Sequence, residues 1–178
     1  MDKKAIADAM KLKRASLLQD EKKALDHTIQ KHLMFELEPF DSIALFASFN
    51  HEVNLWPVIE GLWKQKKIYL PRVNGKTMDF YRVQSREDLR ESSFGILEPK
   101  EYCEIVCKTC IDIIVVPMLA FDLNLYRIGY GGGYYDRFLK DYNGYALGIA
   151  YSFQAIDYIP IESHDVKCDN IMTEKEKL

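Results

Sequence analysis

The sequence predicts an α/β fold: a three-layer, mostly parallel sheet with helices on both faces, in a single domain. Three observations lead there. β-Branched apolar runs, of which Ile111-Asp112-Ile113-Ile114-Val115-Val116-Pro117 is the clearest, have the composition of strands buried on both faces. They alternate with segments whose apolar residues recur at helical spacing, as crossover connections require. No repeat or linker divides the 178 residues, a length that suits one ordinary core.

Residues 3 to about 38 read as helical, with Ile6, Met10, Leu17, Leu18, Leu25, Ile29, Leu33 and Leu37 as the apolar stripe. Lys3, Lys4, Lys11, Lys13, Arg14, Lys22 and Lys23 make the other side basic, either as a solvated face or as cations beside a polyphosphate. Residues 42–49 are the first strand and end in Asn50-His51-Glu52. Glu52 therefore falls at a carboxyl strand end, where open α/β sheets bind ligands. It is either a loop or cap residue or an acceptor for the amino groups of a heterocycle.

Helical spacing resumes over residues 55–66, through Val58, Ile59, Leu62 and Trp63. Residues 67–71 form a second strand stopped by Pro71, and residues 78–83 alternate as a third, more exposed one. The turn-rich, aromatic stretch 92–99 either walls a pocket or covers the sheet. After the run at 111–117 comes a glycine cluster, then a helix carrying Tyr134, Tyr135, Phe138 and Leu139, with Asp136 and Lys140 one turn apart as a pair. Asn143-Gly144 turns the chain into a buried strand at 145–151. A polar loop at 161–169 precedes a last short strand around Ile171; His164 and Asp165 in that loop are surface residues or, for Asp165, a metal carboxylate.

The glycine cluster organises the rest. Four of the nine glycines fall within Gly129-Tyr130-Gly131-Gly132-Gly133, between a strand and a helix. Without Cβ atoms such a turn takes positive φ and turns backbone N–H groups toward an anion, and a helix N-terminus adds partial positive charge. Arg127 supplies a fixed cation, and Asp136 can hold a divalent ion or cap the helix. The Walker and dinucleotide fingerprints both fail: no Lys-Ser/Thr follows the last glycine, and Tyr134 stands where the dinucleotide pattern needs glycine.

The whole chain excludes several function classes. A net charge of -3 argues against a nucleic-acid or anionic-membrane surface, so the partner is a small molecule. The first ten residues lack a secretory apolar core, and no run approaches the roughly 20 apolar residues that cross a bilayer, so the expected location is cytoplasmic. Cys103, Cys107, Cys110 and Cys168 suit a reducing compartment, and Cys107-Lys108-Thr109-Cys110 lacks the second pair a zinc site needs. A monomer is expected.

The glycine loop and the blocks around it resemble the 5-formyltetrahydrofolate cyclo-ligase family, also called 5,10-methenyltetrahydrofolate synthetases. The likeness is carried by Glu52-Val53, Leu70-Pro71-Arg72-Val73, Phe94-Gly95-Ile96, Glu98-Pro99 and the stretch from Val116-Pro117 through Ala120-Phe121-Asp122 to Arg127. It continues through residues 131–138, 150–154, Pro160, His164-Asp165-Val166 and Thr173-Glu174. The resemblance implies ATP as co-substrate and Mg2+ as cofactor for closing 5-formyltetrahydrofolate to 5,10-methenyltetrahydrofolate, with ADP and phosphate released. In the family the γ-phosphoryl group activates the formyl oxygen, a neighbouring folate nitrogen attacks the carbon, and phosphate leaves.

By family position, Lys3, Lys4, Arg127, Ile128, Gly129, Tyr130, Gly131, Gly132, Gly133, Tyr134 and Tyr135 would bind ATP, with Arg127 and Tyr134 nearest the chemistry. Glu52 and the stretch Tyr130 to Tyr134 would bind the folate, and Asp136 and Asp165 would hold magnesium. Phe49, Phe80 and Tyr151 either wall the folate site or belong to the core. The sequence departs from the family pattern at Ala7, where an arginine is usual, at Leu125, where glycine is common, and at Tyr130 and Gly132, which are basic in some relatives; Lys4 or Arg14 is the candidate to compensate. Two other readings remain open: a sugar-phosphate isomerase, which needs a phosphate loop but no ATP, and a folate- or nucleotide-binding module without activity.

Overall fold

The structure is a computed structural model that describes residues 2–178. The chain opens with α1 (Lys3–Ala15), started by the Asp2 side chain accepting from the Ala5 amide at 2.7 Å, and α2 (Gln19–Leu37). The single helix expected over 3–38 is thus two. Ile6 and Ala7 of α1 pack on Leu119, Ala120, Ile128 and Ile159, whereas Ile29, Leu33 and Leu37 of α2 pack on the central sheet. One straight rod cannot bury both faces against these separate surfaces. The break falls at Ser16, whose hydroxyl donates to the Lys13 carbonyl, and leaves Leu12 and Leu18 exposed.

The chain continues through β1 (Ser42–Ala44), α3 (Trp56–Leu62), β2 (Lys67–Asn74), β3 (Thr77–Val83), β4 (Leu89–Glu91), β5 (Leu97–Pro99), β6 (Ile113–Pro117), β7 (Ala120–Phe121) and β8 (Arg127–Ile128). It ends with α4 (Tyr134–Leu139), β9 (Tyr145–Ile149) and β10 (Asn170–Met172). Six strands form one sheet in the order β10-β9-β6-β1-β2-β3, parallel throughout except that β3 returns antiparallel to β2.

Strand alternation distributes the core over two faces. Ile43, Ile113, Val115, Leu147 and Ile149 point with Leu45 toward α2 and α3, meeting Leu33, Leu37, Val58 and Ile59. Ala44, Ile114, Val116 and Ala146 point the other way and meet Phe138 and Leu139 of α4. Most of these side chains are completely buried, each worth about 1.5–3 kcal/mol for a large aliphatic group. Among the described residues no helix is long and apolar enough to cross a membrane.

Two departures from the expected elements shape the site. Ladder pairing in β1 stops at Ala44, although the apolar run continues to Phe49; residues 45–47 stay buried while the chain leaves the sheet and delivers Glu52. The glycine cluster also does not follow the 111–117 strand directly. A two-stranded hairpin of β7 and β8 intervenes, tied by Asp122, whose buried carboxylate accepts from the amides of Asn124, Tyr126 and Ile159. In its turn Leu125 has a φ of 68°, the left-handed region that favours glycine, the residue the family resemblance leads one to expect there.

Candidate active site

A cleft of about 1090 Å³ has the glycine loop along one wall and Pro71 and Val73 of β2 and Met78 of β3 in its lining. Lys3, Lys4, every residue from Arg127 to Asp136, and Asp165 line it. The structure therefore gathers the whole predicted phosphate set with both predicted metal carboxylates. The turn-rich stretch 92–99 walls the cleft through Phe94 and Ile96; Phe94 is 81% exposed, an apolar ring presented to the cleft.

Gly131 and Gly133 adopt φ of 92° and 64°, and Gly133 caps α4 without any side-chain hydrogen bond, leaving the first-turn N–H groups clear of side chains. With only six residues, α4 adds little dipole, so the loop's own amides and Arg127 carry the electropositive character. The loop is fixed from outside. The Tyr134 hydroxyl donates to the Gly75 carbonyl at 3.0 Å, and Arg137 donates to the carbonyls of Gly132 at 2.8 Å and Lys76 at 3.1 Å while stacking 4.9 Å from the Tyr134 ring. Gly75 and Lys76 form the tip of the β2–β3 hairpin, which sequence reasoning did not connect to the site; Asn74-Gly75 is a strong hairpin signal, but nothing in it says where the tip docks.

A Cβ on Gly129 would meet nothing within 4 Å, whereas one on Gly133 would sit 2.8 Å from the Arg137 guanidinium with φ already positive. Gly129→Ala is therefore expected to leave the melting temperature unchanged, so any fall in ATP affinity reads ligand approach alone. Gly133→Ala should cost about 1 kcal/mol or more of stability, seen as a lower urea midpoint. A matching stability loss in both variants would contradict this division.

Two of the predicted cations of the cleft, Arg127 and Lys3, are already paired. The Arg127 guanidinium, nearly inaccessible, donates to Asp136 at 2.8 Å and also reaches the Val166 carbonyl. Asp136 in turn accepts from the Val166 amide at 3.1 Å, so this ion pair holds both backbone polar groups of one residue. The predicted Asp136–Lys140 pair does not form, because the carboxylate turns inward to Arg127. Across the cleft Lys3 donates to Asp165 at 2.5 Å and to Glu162 at 3.0 Å. Burial, the largest single influence, works against the charge on both Lys3 and Asp165, yet their mutual hydrogen bond together with the Glu162 contacts and the attraction of opposite charges outweighs it, raising the lysine pKa and lowering that of the carboxyl group. Glu162, His164 and Asp165 place ligand atoms within 4.8 Å of one another. Asp136 stands outside that group, and so do all four cysteines, which are free thiols.

Glu52 is not in the lining of the cleft. It lies behind Tyr130, beside Arg14, with one carboxylate oxygen accepting from the Phe49 amide at 2.8 Å. Burial raises its pKa above the usual carboxylate range, opposed by the Tyr130 hydroxyl, the Phe49 amide and the nearby Arg14 and Lys22. Of the three rings considered for the folate wall, Phe80 and Tyr151 belong to the core; Phe80 packs edge-on against Phe138, and the Tyr151 hydroxyl bonds Asp26 at 2.6 Å. Phe49 is half-buried and packs against Gly95. Ala7 is buried and lines the cleft without charge.

A model of the 5-formyltetrahydrofolate cyclo-ligase family matches residues 1–174. The chain belongs to that family. Among curated relatives, the 5-formyltetrahydrofolate cyclo-ligase of Haemophilus influenzae is 31% identical over 169 residues, covering 89% of this chain and 90% of the relative. The Mycoplasma pneumoniae cyclo-ligase is 30% identical over 98% of this chain. Among solved structures, the 5,10-methenyltetrahydrofolate synthetase of Aquifex aeolicus superposes with a TM-score of 0.89 at 36% identity, covering 99% of this chain and 92% of that one. The cyclo-ligase family thus accounts for the fold.

Proposed function

We propose that this cyclo-ligase family member closes 5-formyltetrahydrofolate to 5,10-methenyltetrahydrofolate with conversion of ATP to ADP and phosphate. The observation that supports this reading best is the convergence, on one cleft, of a side-chain-free glycine loop, two positioned cations and two carboxylates. That is what phosphoryl transfer asks of a protein: positioning and charge stabilisation rather than covalent chemistry.

A formyl oxygen on an amide-like nitrogen is a poor leaving group. Transfer of the γ-phosphoryl group onto it breaks the bond to the ADP oxygen and makes a phosphate ester; attack by the neighbouring folate N–H nitrogen on the carbon, with its proton lost to phosphate or solvent, then expels inorganic phosphate. Backbone amides of Gly129 to Gly133 cradle the phosphates, with Arg127 and Lys3 following the negative charge. Tyr134, its hydroxyl anchored on Gly75, presents a fixed ring edge between nucleotide and folate. Tyr130, on the cleft wall, and Glu52, just behind it, serve the pterin end. Asp136 and Asp165 fit a magnesium ion by donor chemistry, being hard carboxylate oxygens on the same cleft; bound there, the ion would neutralise charge on the phosphoryl oxygens.

The test is an absorbance assay for the methenyl product with 5-formyltetrahydrofolate and magnesium, run with and without ATP. Product only in the presence of ATP is expected. No product while both ligands still bind would favour a binding module, and turnover of a phosphosugar without ATP would favour the isomerase. Glu52→Gln removes the charge but keeps the shape, and a hydrogen bond to a charged group is worth about 1.5–3 kcal/mol. Its dissociation constant for 5-formyltetrahydrofolate should therefore rise about 10-fold or more, with ATP affinity little changed. Unaltered folate affinity would return Glu52 to a loop-holding role.

A further inference from the structure

The geometry points to Arg14 as the positioning residue of the folate end of the cleft, acting through the Tyr130 hydroxyl and resting on the reading that Glu52 recognises the pterin. Helical spacing puts Lys3, Ala7 and Arg14 on one face of α1, with Arg14 roughly 16 Å along the axis from Lys3. The two cations therefore serve opposite ends of the site. Arg14 does not line the cleft and does not meet a phosphate path; it lies 5% exposed behind Tyr130, in the small cavity shared with Glu52, Met118 and Gln154.

Arg14 is poorly rewarded as a stabilising residue. Its Nη2 donates to the Tyr130 hydroxyl at 2.7 Å, while Nη1 makes only a 3.5 Å contact to the Met118 carbonyl, already served by Gln154 at 2.9 Å. Its Nε is buried with no partner, the one such side-chain atom among the described residues. Burying a guanidinium this way costs desolvation that an aliphatic side chain of the same volume would avoid.

Donor and acceptor chemistry supplies the reason. Arginine can only donate, so the Tyr130 oxygen must accept from Arg14. The single hydroxyl proton is then free for an acceptor, and the Glu52 carboxylate faces it. Glu52 is held by the Phe49 amide on Oε2, with the Tyr130 hydroxyl beside its carboxylate. Tyr130 stands half exposed on the cleft wall, held by its hydroxyl. The charged and titratable groups facing Glu52 are Arg14, Lys22, Tyr130 and Tyr135; Lys22 is engaged by Asp26 at 2.6 Å, and burial keeps both tyrosines neutral. Arg14 is the cation left to favour the ionised carboxylate.

The test is a double-mutant cycle on the intact chain with Arg14→Met and Tyr130→Phe, reading dissociation constants for 5-formyltetrahydrofolate and ATP across pH. Each single change should weaken folate binding about 10-fold, with ATP changed less than about 2-fold, and the double variant should be no worse than about 10-fold because both remove one linked contact. The acid limb of folate binding should move to higher pH in Arg14→Met. Arg14→Lys keeps the charge and should hold the limb near its original place while still losing affinity, since one ammonium cannot reproduce the guanidinium fork. Multiplying effects, equal losses for both ligands, or an unshifted limb would overturn the proposal. If Arg14→Met fails to fold, Tyr130→Phe and Arg14→Lys decide by the same readouts. Folate affinity lost in Glu52→Gln but kept in the Arg14 variants would remove only the role of Arg14; affinity kept in Glu52→Gln would remove the underlying reading as well.

Discussion

Arg127→Met is expected to lose stability and turnover together. The arginine side chain is 3% exposed and its partner Asp136 24%, so removing the cation strands a partly buried carboxylate and frees the Val166 carbonyl. Breaking a fully buried pair costs about 3–5 kcal/mol; with Asp136 partly solvated, about 2–3 kcal/mol is expected here. For a chain of this length that lowers the melting temperature by roughly 5–10 °C. Turnover below the new transition should fall a further 10²–10³-fold or so, the loss typical of a preorganised donor aimed at developing charge. A variant that melts early but turns over normally would make Arg127 a structural residue only.

Asp136→Asn separates the two halves of that pair. The amide oxygen can still accept from Arg127 and the Val166 amide, so stability should drop by only about 1 kcal/mol. Loss of the carboxylate should raise the magnesium concentration for half-maximal turnover about 10- to 100-fold, with 5-formyltetrahydrofolate affinity little affected. A magnesium titration of the purified variant reads this directly. Wild-type turnover at every magnesium concentration would remove Asp136 from the metal site.

How much of this was legible in the sequence varies by element. β6 and β9 were plain because strands buried on both faces leave continuous apolar runs, and nothing competes with that reading. The end of β1 was not, because residues 45–47 remain buried after they leave the ladder, and apolar composition reports burial rather than pairing. The break at Ser16 has no glycine or proline to announce it; it follows from where two helical faces find partners, which is a tertiary fact. The glycine turn between strand and helix was readable because glycine spacing is local chemistry. Its braces were not: Lys3 meets Asp165, and Tyr134 meets Gly75, across sequence separations no periodicity encodes. Arg14 looked like one more cation on a solvated face until its burial behind Tyr130 was seen.

The paired state of Lys3 and Arg127 changes what ligand entry means at this site. Each cation already spends its charge on a carboxylate of the same wall, so an incoming polyphosphate enters by exchange of partners, not by filling an open basic socket. A ligand that carries both signs, such as a nucleotide with its own divalent ion, can satisfy the released carboxylates and the redirected cations in one event. Neither component alone can do so without leaving charge uncompensated. Because the exchange is local, occupancy should depend on ionic strength far less than at a surface of unpaired lysines, where each contact releases counterions.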